Sequence, residues 1–218
     1  MKTFLSIGAG PGMGLATAER FGREGYQVIL AARTREKTEA LASQLVAKGI
    51  TAVAHTVDAT DPASIQNLFK QVAASRGRLD VVHYNAANLR ASNVQNQPAD
   101  TFNADLAVNI GGALTTAQST LSALSGHGGT LLLTGGGFGL APSPDYLSLS
   151  IGKAGIRALA LGLFDSARAL GVHVATVTVA AFIDPGSKEA KDVAEHFWEL
   201  HSQPIEAWKA EVIYPTPA

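Results

Sequence analysis

The sequence predicts an α/β fold: a doubly wound parallel sheet of six or seven strands with helices on both faces, in three layers. Two observations carry that prediction. Short apolar runs of strand length alternate with segments of helical spacing over most of the chain, which is the pattern of successive βαβ units. The first apolar run ends in a glycine cluster that opens a helix-like segment, Phe4-Leu5-Ser6-Ile7-Gly8-Ala9-Gly10-Pro11-Gly12-Met13-Gly14. Right-handed crossovers between parallel neighbours then place helices on both faces of the sheet.

In chain order, strands are expected at residues 4–7, 28–31, 52–57, 79–83, 130–134 and 173–179, with a weak seventh at 211–214. The first helix follows the glycines, with Leu15, Ala16, Ala18 and Phe21 on its apolar side. Helical spacing recurs at 37–48 (Leu41, Leu45, Val46) and at 64–74 (Ile65, Leu68, Phe69, Val72). Residues 100–124 and 145–170 read as two long, unbroken helices, and 188–201 as a last one before Pro204, Pro215 and Pro217 interrupt the pattern.

The 218 residues suffice for one sizeable core, and no linker or repeat divides them, so a single domain over 1–218 is expected. A net charge of −1 supplies no electrostatic reason for nucleic acid or an acidic membrane surface as partner. The absence of cysteine excludes disulfides, thiolate catalysis and cysteine-ligated metals. No leader or membrane span is visible in the pattern, which makes the cytoplasm the default expectation. Low charge (16%) and 46% hydrophobic residues fit broad buried surfaces, subunit contacts among them.

A strand, a tight glycine turn and a helix N-terminus together hold a pyrophosphate through main-chain amides, so a dinucleotide is the first ligand to consider; a plain glycine-rich turn is the alternative. In dinucleotide-binding sheets the end of the second strand reads the adenosine ribose. Here it runs Ala31-Ala32-Arg33-Thr34, with no carboxylate to take a 2′-hydroxyl and an arginine able to pair with a 2′-phosphate. NADP(H) is therefore favoured over NAD(H), unless Arg33 only solvates a loop.

These features in order resemble the short-chain dehydrogenase/reductase family, over residues 2 to about 186. The glycine loop has that family's G-x-x-x-G-x-G form at Gly8, Gly12 and Gly14. Val57-Asp58-Ala59-Thr60-Asp61 resembles the segment whose Asp contacts adenine, and Asn85-Ala86-Ala87 the Asn-Ala-Gly beside the cofactor. Val108-Asn109-Ile110 matches the helix asparagine that supports a proton relay, and Ile183-Asp184-Pro185-Gly186 the Pro-Gly turn at the nicotinamide. The resemblance implies a Rossmann-type fold and cofactor contacts at Gly8, Gly10, Gly12, Met13, Gly14, Arg33, Thr34, Asp58, Ala59, Asn85, Ala86, Ala87, Lys153, Pro185 and Gly186. Each has a structural alternative: a cap or turn for Asp58, strand-end hydrogen bonding for Asn85, a local helix bond for Asn109.

The family's proton chemistry rests on a Tyr four residues before a Lys and a Ser about a dozen residues earlier. Lys153 is present, but Leu149 stands at the Tyr position and Gly136 at the Ser position. The resemblance assigns Lys153 to the nicotinamide ribose, and the alternative is a surface lysine. Tyr146, seven residues before Lys153, is nearly in phase with it at about 100° per residue, if the helix starts at or before Asp145. It is then the substitute acid/base, about 10 Å along the axis from Lys153 rather than about 6 Å; the alternative is that it only lines the pocket. Ser148 and Ser150 point off that face, as caps or subunit contacts, and Thr134 is a candidate to orient a substrate carbonyl.

In the resembled family the C-terminal segment, here 186–218, covers the substrate. His196 and His201 lie about 140° apart in helical phase and do not converge on a metal. An amphipathic cover helix with Phe197, Trp198 and Leu200 partly buried is expected; the alternative is that Trp198 or His201 lines the substrate. The two long small-residue helices suit a homo-oligomer, dimer or tetramer. Two functions follow: an NADP(H)-dependent oxidoreductase acting on a small carbonyl or alcohol with an altered proton donor (Tyr146, with Asn109 and Lys153), or an NADP(H)-binding regulator or structural partner without turnover.

Overall fold

The computed structural model describes residues 1–216. Seven parallel strands form one sheet in the order β3-β2-β1-β4-β5-β6-β7: β1 Thr3–Ile7, β2 Gln27–Ala32, β3 Ala52–Thr56, β4 Val81–Tyr84, β5 Gly129–Thr134, β6 Val172–Val179 and β7 Glu211–Tyr214. The helices are α1 Met13–Arg23, α2 Arg35–Val46, α3 Pro62–Arg76, α4 Ala99–Leu106, α5 Gly112–Leu124, α6 Leu147–Ala169 and α7 Lys188–Ser202.

Strand side chains alternate between two cores, as the pleat requires. Leu5, Ile7 and Ile29 pack with Ile65, Leu68, Val72, Ala113, Ala117, Ile156 and Ala160, from α3, α5 and α6. Phe4, Val28 and Leu30 pack with Ala18, Phe21, Leu41, Leu45, Val193 and Phe197, from α1, α2 and α7. The weak seventh strand is real: it pairs parallel with β6 from Thr176↔Glu211 to Val179↔Tyr214. Glu211 is pinned by Arg157 of α6 at 2.8 Å and by the Thr178 hydroxyl at 2.6 Å.

Three expectations are corrected. Residues 100–124 are not one helix, because a five-residue π turn, Ala107–Gly111, separates α4 from α5. Such turns inside helices often mark functional positions, and this one contains Asn109. The second long helix starts at Leu147, with Tyr146 at its N-cap in a non-helical conformation (φ −135°, ψ 47°), so the phase argument for Tyr146 loses its premise. And α7 covers α1, not the substrate side. Glu195 bonds Arg20 at 2.6 Å, Trp198 lies edge-on to Phe21, and His201 bridges Tyr26 (2.7 Å) and Thr130 (2.8 Å). Thr130 lies at the start of β5, at the end of the strands opposite the glycine turn, which removes His201 and Trp198 from any substrate wall.

By length and composition α6 is apolar enough to cross a membrane, which the pattern reading passed over. In this fold it lies along β6, with Ile156, Ala160 and Ala167 in the core.

Candidate cofactor cleft and active site

Gly8 ends β1 with φ +84°, and a Cβ there would sit 2.2 Å from the Ala86 amide nitrogen. Only glycine fits, and its absence of a side chain lets the ends of β1 and β4 close on one another. Above Gly10 and Gly12 nothing lies within 4 Å of a built Cβ, so the turn presents bare backbone to open space. No side chain caps α1 and no carboxylate stands in its first turn, which leaves its first amides available to an anion.

The turn forms one wall of a cleft of about 270 Å³ at the C-terminal strand ends. Gly8, Ala9, Ala32 and Arg33 line one side, Val57, Ala59 and Val108 the middle, and Asn85, Ala86, Ala87 and Asn88 the other. Arg33 is exposed at the rim and makes no ion pair among the described residues. Thr34 is the N-cap residue of α2, and Met13 is half-buried beneath the turn. Asp58 is exposed. Its Oδ1 accepts from the Thr60 amide (2.9 Å) and hydroxyl (2.8 Å), which hold its carboxyl below the usual range. That is the turn alternative, and it leaves Oδ2 outside those bonds.

Asn85 ties three strand ends together. Its Nδ2 donates to the Gly8 carbonyl at 2.9 Å, and its Oδ1 accepts from the Thr134 hydroxyl at 3.0 Å. Thr134 Oγ1 also meets His83 Nε2 at 2.9 Å, and His83 Nδ1 meets Ser6 Oγ at 3.3 Å. With the amide donating to Gly8, the network runs one way: Ser6 to His83, His83 Nε2–H to Thr134, Thr134 to Asn85. Burial pushes His83 down to about 3, so it is neutral, as this network requires. Thr134 spends its hydroxyl here and does not face a substrate carbonyl. His83 was missed by the sequence reading; a histidine amid an apolar strand was the available signal.

Lys153 projects from α6 beneath the β5 end, and its Nζ donates to the Thr134 carbonyl at 2.6 Å. Desolvation pushes it down to about 8. Its stem lies along Gly136, where a Cβ would meet Cγ at 3.0 Å and Cδ and Cε at 3.2 Å. The space of a side chain at 136 is thus taken by lysine methylenes. Leu149 is 6% exposed and belongs to the interior.

Asn109 pairs its amide with the Asn88 backbone in both directions, at 2.7 and 3.2 Å. Gly152 of α6 packs on it so closely that a Cβ would sit 2.3 Å from the Asn109 Cβ. Asn109 thereby joins the π turn, the cleft wall at Asn88 and the helix of Lys153. Asp105, fully buried, does the same nearby. It accepts from Arg90 (2.8 Å), Gln97 (2.8 Å), Asn88 (3.2 Å) and Ser148 (2.9 Å). Burial pushes its carboxyl up, but these donors outweigh burial and hold it below the usual range. Nothing in the sequence pattern marked Asp105 or Arg90. Ser150 bonds the backbone of Ser143 and Tyr146 at the helix start.

Tyr146 is half-buried and stacks on Phe138 with centroids 5.3 Å apart. Pro185 and Gly186 are exposed in the turn that feeds α7; the chain that leaves β6 against the Gly137 turn is residues 180–182, with Ala180 Cα 2.8 Å from a Cβ built at Gly137.

A family model for short chain dehydrogenases matches residues 2–195. The chain belongs to the short-chain dehydrogenase family. It is 30% identical to oxidoreductase asL5 of Sarocladium schorii over 190 residues, 87% of this chain and 75% of that one. It is 28% identical to an uncharacterized oxidoreductase of Staphylococcus aureus, over 93% of this chain and 92% of that one. Among solved structures, a short-chain dehydrogenase from Rhodopseudomonas palustris superposes with a TM-score of 0.89 at 22% identity, covering 99% of each chain. A metagenomic short-chain oxidoreductase in complex with NADP gives 0.88 at 24% identity, over 100% of this chain and 98% of that one. The seven-stranded parallel sheet is the Rossmann-like fold of this family, whose members use NAD(P).

Proposed function

We propose that this member is an NADP(H)-dependent oxidoreductase that interconverts a small carbonyl compound and its alcohol, with Tyr146 as the proton-handling group. The observation that carries the reading is the cleft between Gly8 and Asn85, with bare glycine backbone along its wall and Arg33 at its rim. Its residues fit a dinucleotide. The turn from Gly8 to Gly14 holds the pyrophosphate, Arg33 the 2′-phosphate, Asp58 and Ala59 the adenine side, and Asn85, Ala86 and Ala87 flank the length of the cofactor. Lys153 takes the nicotinamide ribose, and the bound nicotinamide supplies or accepts the hydride.

This member lacks the family's Tyr and Ser, with Leu149 and Gly136 in their places. Tyr146 stands at the start of the helix that carries Lys153, open to the rim, and substitutes for them; Asn109 holds that helix to the cleft wall. The test is a screen of carbonyls and alcohols with NADPH and NADP. Turnover by the wild type, lost in Tyr146→Phe with NADPH affinity kept, supports the reading. Turnover unchanged in Tyr146→Phe removes that residue as donor.

A second reading, an NADP(H)-binding regulator or structural partner, is favoured by the apolar Leu149 and the lysine-filled space at Gly136. It expects NADPH binding without turnover of any carbonyl. In either reading the exposed Leu114, Ile151 and Leu161 on α5 and α6 suit a contact between copies of the chain.

A further inference from the structure

The chemistry of the substrate is written in the rim above Lys153. Three rings from separate segments meet there: Phe138 from the turn after β5, Tyr146 at the start of α6, and Phe182 from the chain that leaves β6. Phe138 and Tyr146 are stacked at an interplanar angle of 18°. Phe182 stands edge-on to Phe138 at 6.2 Å and tilted to Tyr146 at 6.4 Å. Phe182 is 71% exposed, so most of a large apolar ring faces solvent. The cluster adjoins the lysine, because the turn that bears Phe138 rests on it; a Cβ at Gly139 would lie 2.7 Å from the Lys153 carbonyl carbon.

The neighbouring loop completes the rim. Ser92 bonds the chain on both sides of Tyr146: its amide donates to the Asp145 carbonyl (2.8 Å), and its carbonyl accepts from the Leu147 amide (3.3 Å). Leu89 and Val94 of that loop, and Leu140 beside Phe138, are exposed. The Asp105 cluster anchors the loop through Asn88, Arg90 and Gln97, so the rim is built in advance of any ligand.

Its electrostatics are as specific as its shape. Arg90 is paired with Asp105, and Lys153 turns its ammonium to the Thr134 carbonyl beneath the β5 end. Asp145 and Asp184 are exposed at its edges. An anionic substrate would meet these carboxylates and an Arg90 already paired with Asp105, whereas a neutral ring can lie against the largely exposed ring of Phe182.

We propose that the substrate is an uncharged aryl ketone or aryl aldehyde, or the matching aryl carbinol, with its ring packed against the exposed Phe182 beside the Phe138–Tyr146 stack. This rests on the oxidoreductase reading above. In the reductive direction the carbonyl carbon receives a hydride, with its two electrons, from NADPH. The C=O π bond breaks and the oxygen takes one proton, which leaves the aryl carbinol and NADP.

The test compares acetophenone, cyclohexyl methyl ketone and 4-acetylbenzoate on the full chain, after NADPH binding has been measured by fluorescence. Two readouts are taken: kcat/KM with NADPH, and calorimetric binding of each ketone to the complex with NADP. The expected result is a preference of about tenfold or more for acetophenone over the other two in both readouts. Phe182→Ala, at an exposed position, and Phe138→Leu should each reduce that preference at least about threefold. Equal binding and turnover of acetophenone and cyclohexyl methyl ketone would overturn the aryl assignment and leave the oxidoreductase reading standing. So would a preference for 4-acetylbenzoate, or selectivity untouched in both variants. NADPH bound, with no ketone bound or reduced, would overturn the assignment and favour the regulator reading. No binding of NADPH would overturn both.

Discussion

Lys153 shows how the site works at the scale of one residue. Its ammonium is bonded to a carbonyl in a dry position, and desolvation holds it near 8. A cation so placed favours an anion or hydroxyl group beside it. In the proposed reaction Tyr146 supplies the proton, so Tyr146→Phe is expected to lower kcat about 10²- to 10⁴-fold while the NADPH dissociation constant stays within about twofold. Arg33→Ala is expected to weaken NADPH about tenfold and NADH hardly at all, read by fluorescence titration of both nucleotides. Two substitutions at the positions proposed for the missing pair test the packing: Gly136→Ser presses on the Lys153 stem, and Leu149→Tyr adds volume to a filled interior. Each should cost about 1–3 kcal/mol in urea unfolding. The residues that line the cleft at the glycine turn and the strand ends were legible in the sequence because glycine turns and strand ends have fixed spacing. The partners of Thr134, Asn109 and Asp105 were not, because they join residues 8 to 51 positions apart on different elements, which no local pattern links.

At the scale of elements, every strand and five of the helices could be read from the apolar periodicity, with α4 and α5 merged into one. The π turn at Ala107–Gly111 was not readable, since it is set by tertiary contacts: Tyr84 Oη donates to the Val108 carbonyl at 2.5 Å, and Asn109 is clasped by Asn88. Asp105 lies one turn earlier and joins α4, α6 and the 88–97 loop. Asp105→Ala strands the buried Ser148 hydroxyl and the partly exposed donors of Asn88, Arg90 and Gln97, and is expected to cost about 1–3 kcal/mol in urea unfolding. The misplacement of α7 came from carrying a family expectation onto an amphipathic pattern that fits any apolar surface. Its histidine has a consequence of its own. His201 is pushed down to about 4 by burial, and His83 to about 3. Both folded values lie below the unfolded 6.5, so the stability they allow is full above pH 6.5 and is lost as pH falls toward 3. Unfolding near pH 5 should take up on the order of two protons from these residues. Urea unfolding between about pH 4 and pH 7 checks this. His201→Gln should flatten the profile by close to one proton, and an unchanged slope would contradict a neutral buried His201.

At the scale of the molecule, the order β3-β2-β1-β4-β5-β6-β7 places its reversal between β1 and β4. A crevice opens at such a switch point, and the ends of those two strands, Gly8 and Asn85, line the cleft here. The family's fold therefore accounts for where the proposed dinucleotide would sit. The exposed apolar face of α5 and α6 belongs to this scale too; sedimentation of the full chain is expected to show a dimer or larger, with Leu161→Glu shifting it toward monomer. The central claim is that main-chain amides and Arg33 at that switch point grip a phosphorylated pyridine nucleotide. Its most direct test is equilibrium titration of the purified chain with NADPH and, separately, NADH, followed by nucleotide fluorescence. Saturable binding of NADPH, tighter than that of NADH, is the outcome expected. No saturable binding of either nucleotide up to millimolar concentration would contradict the account.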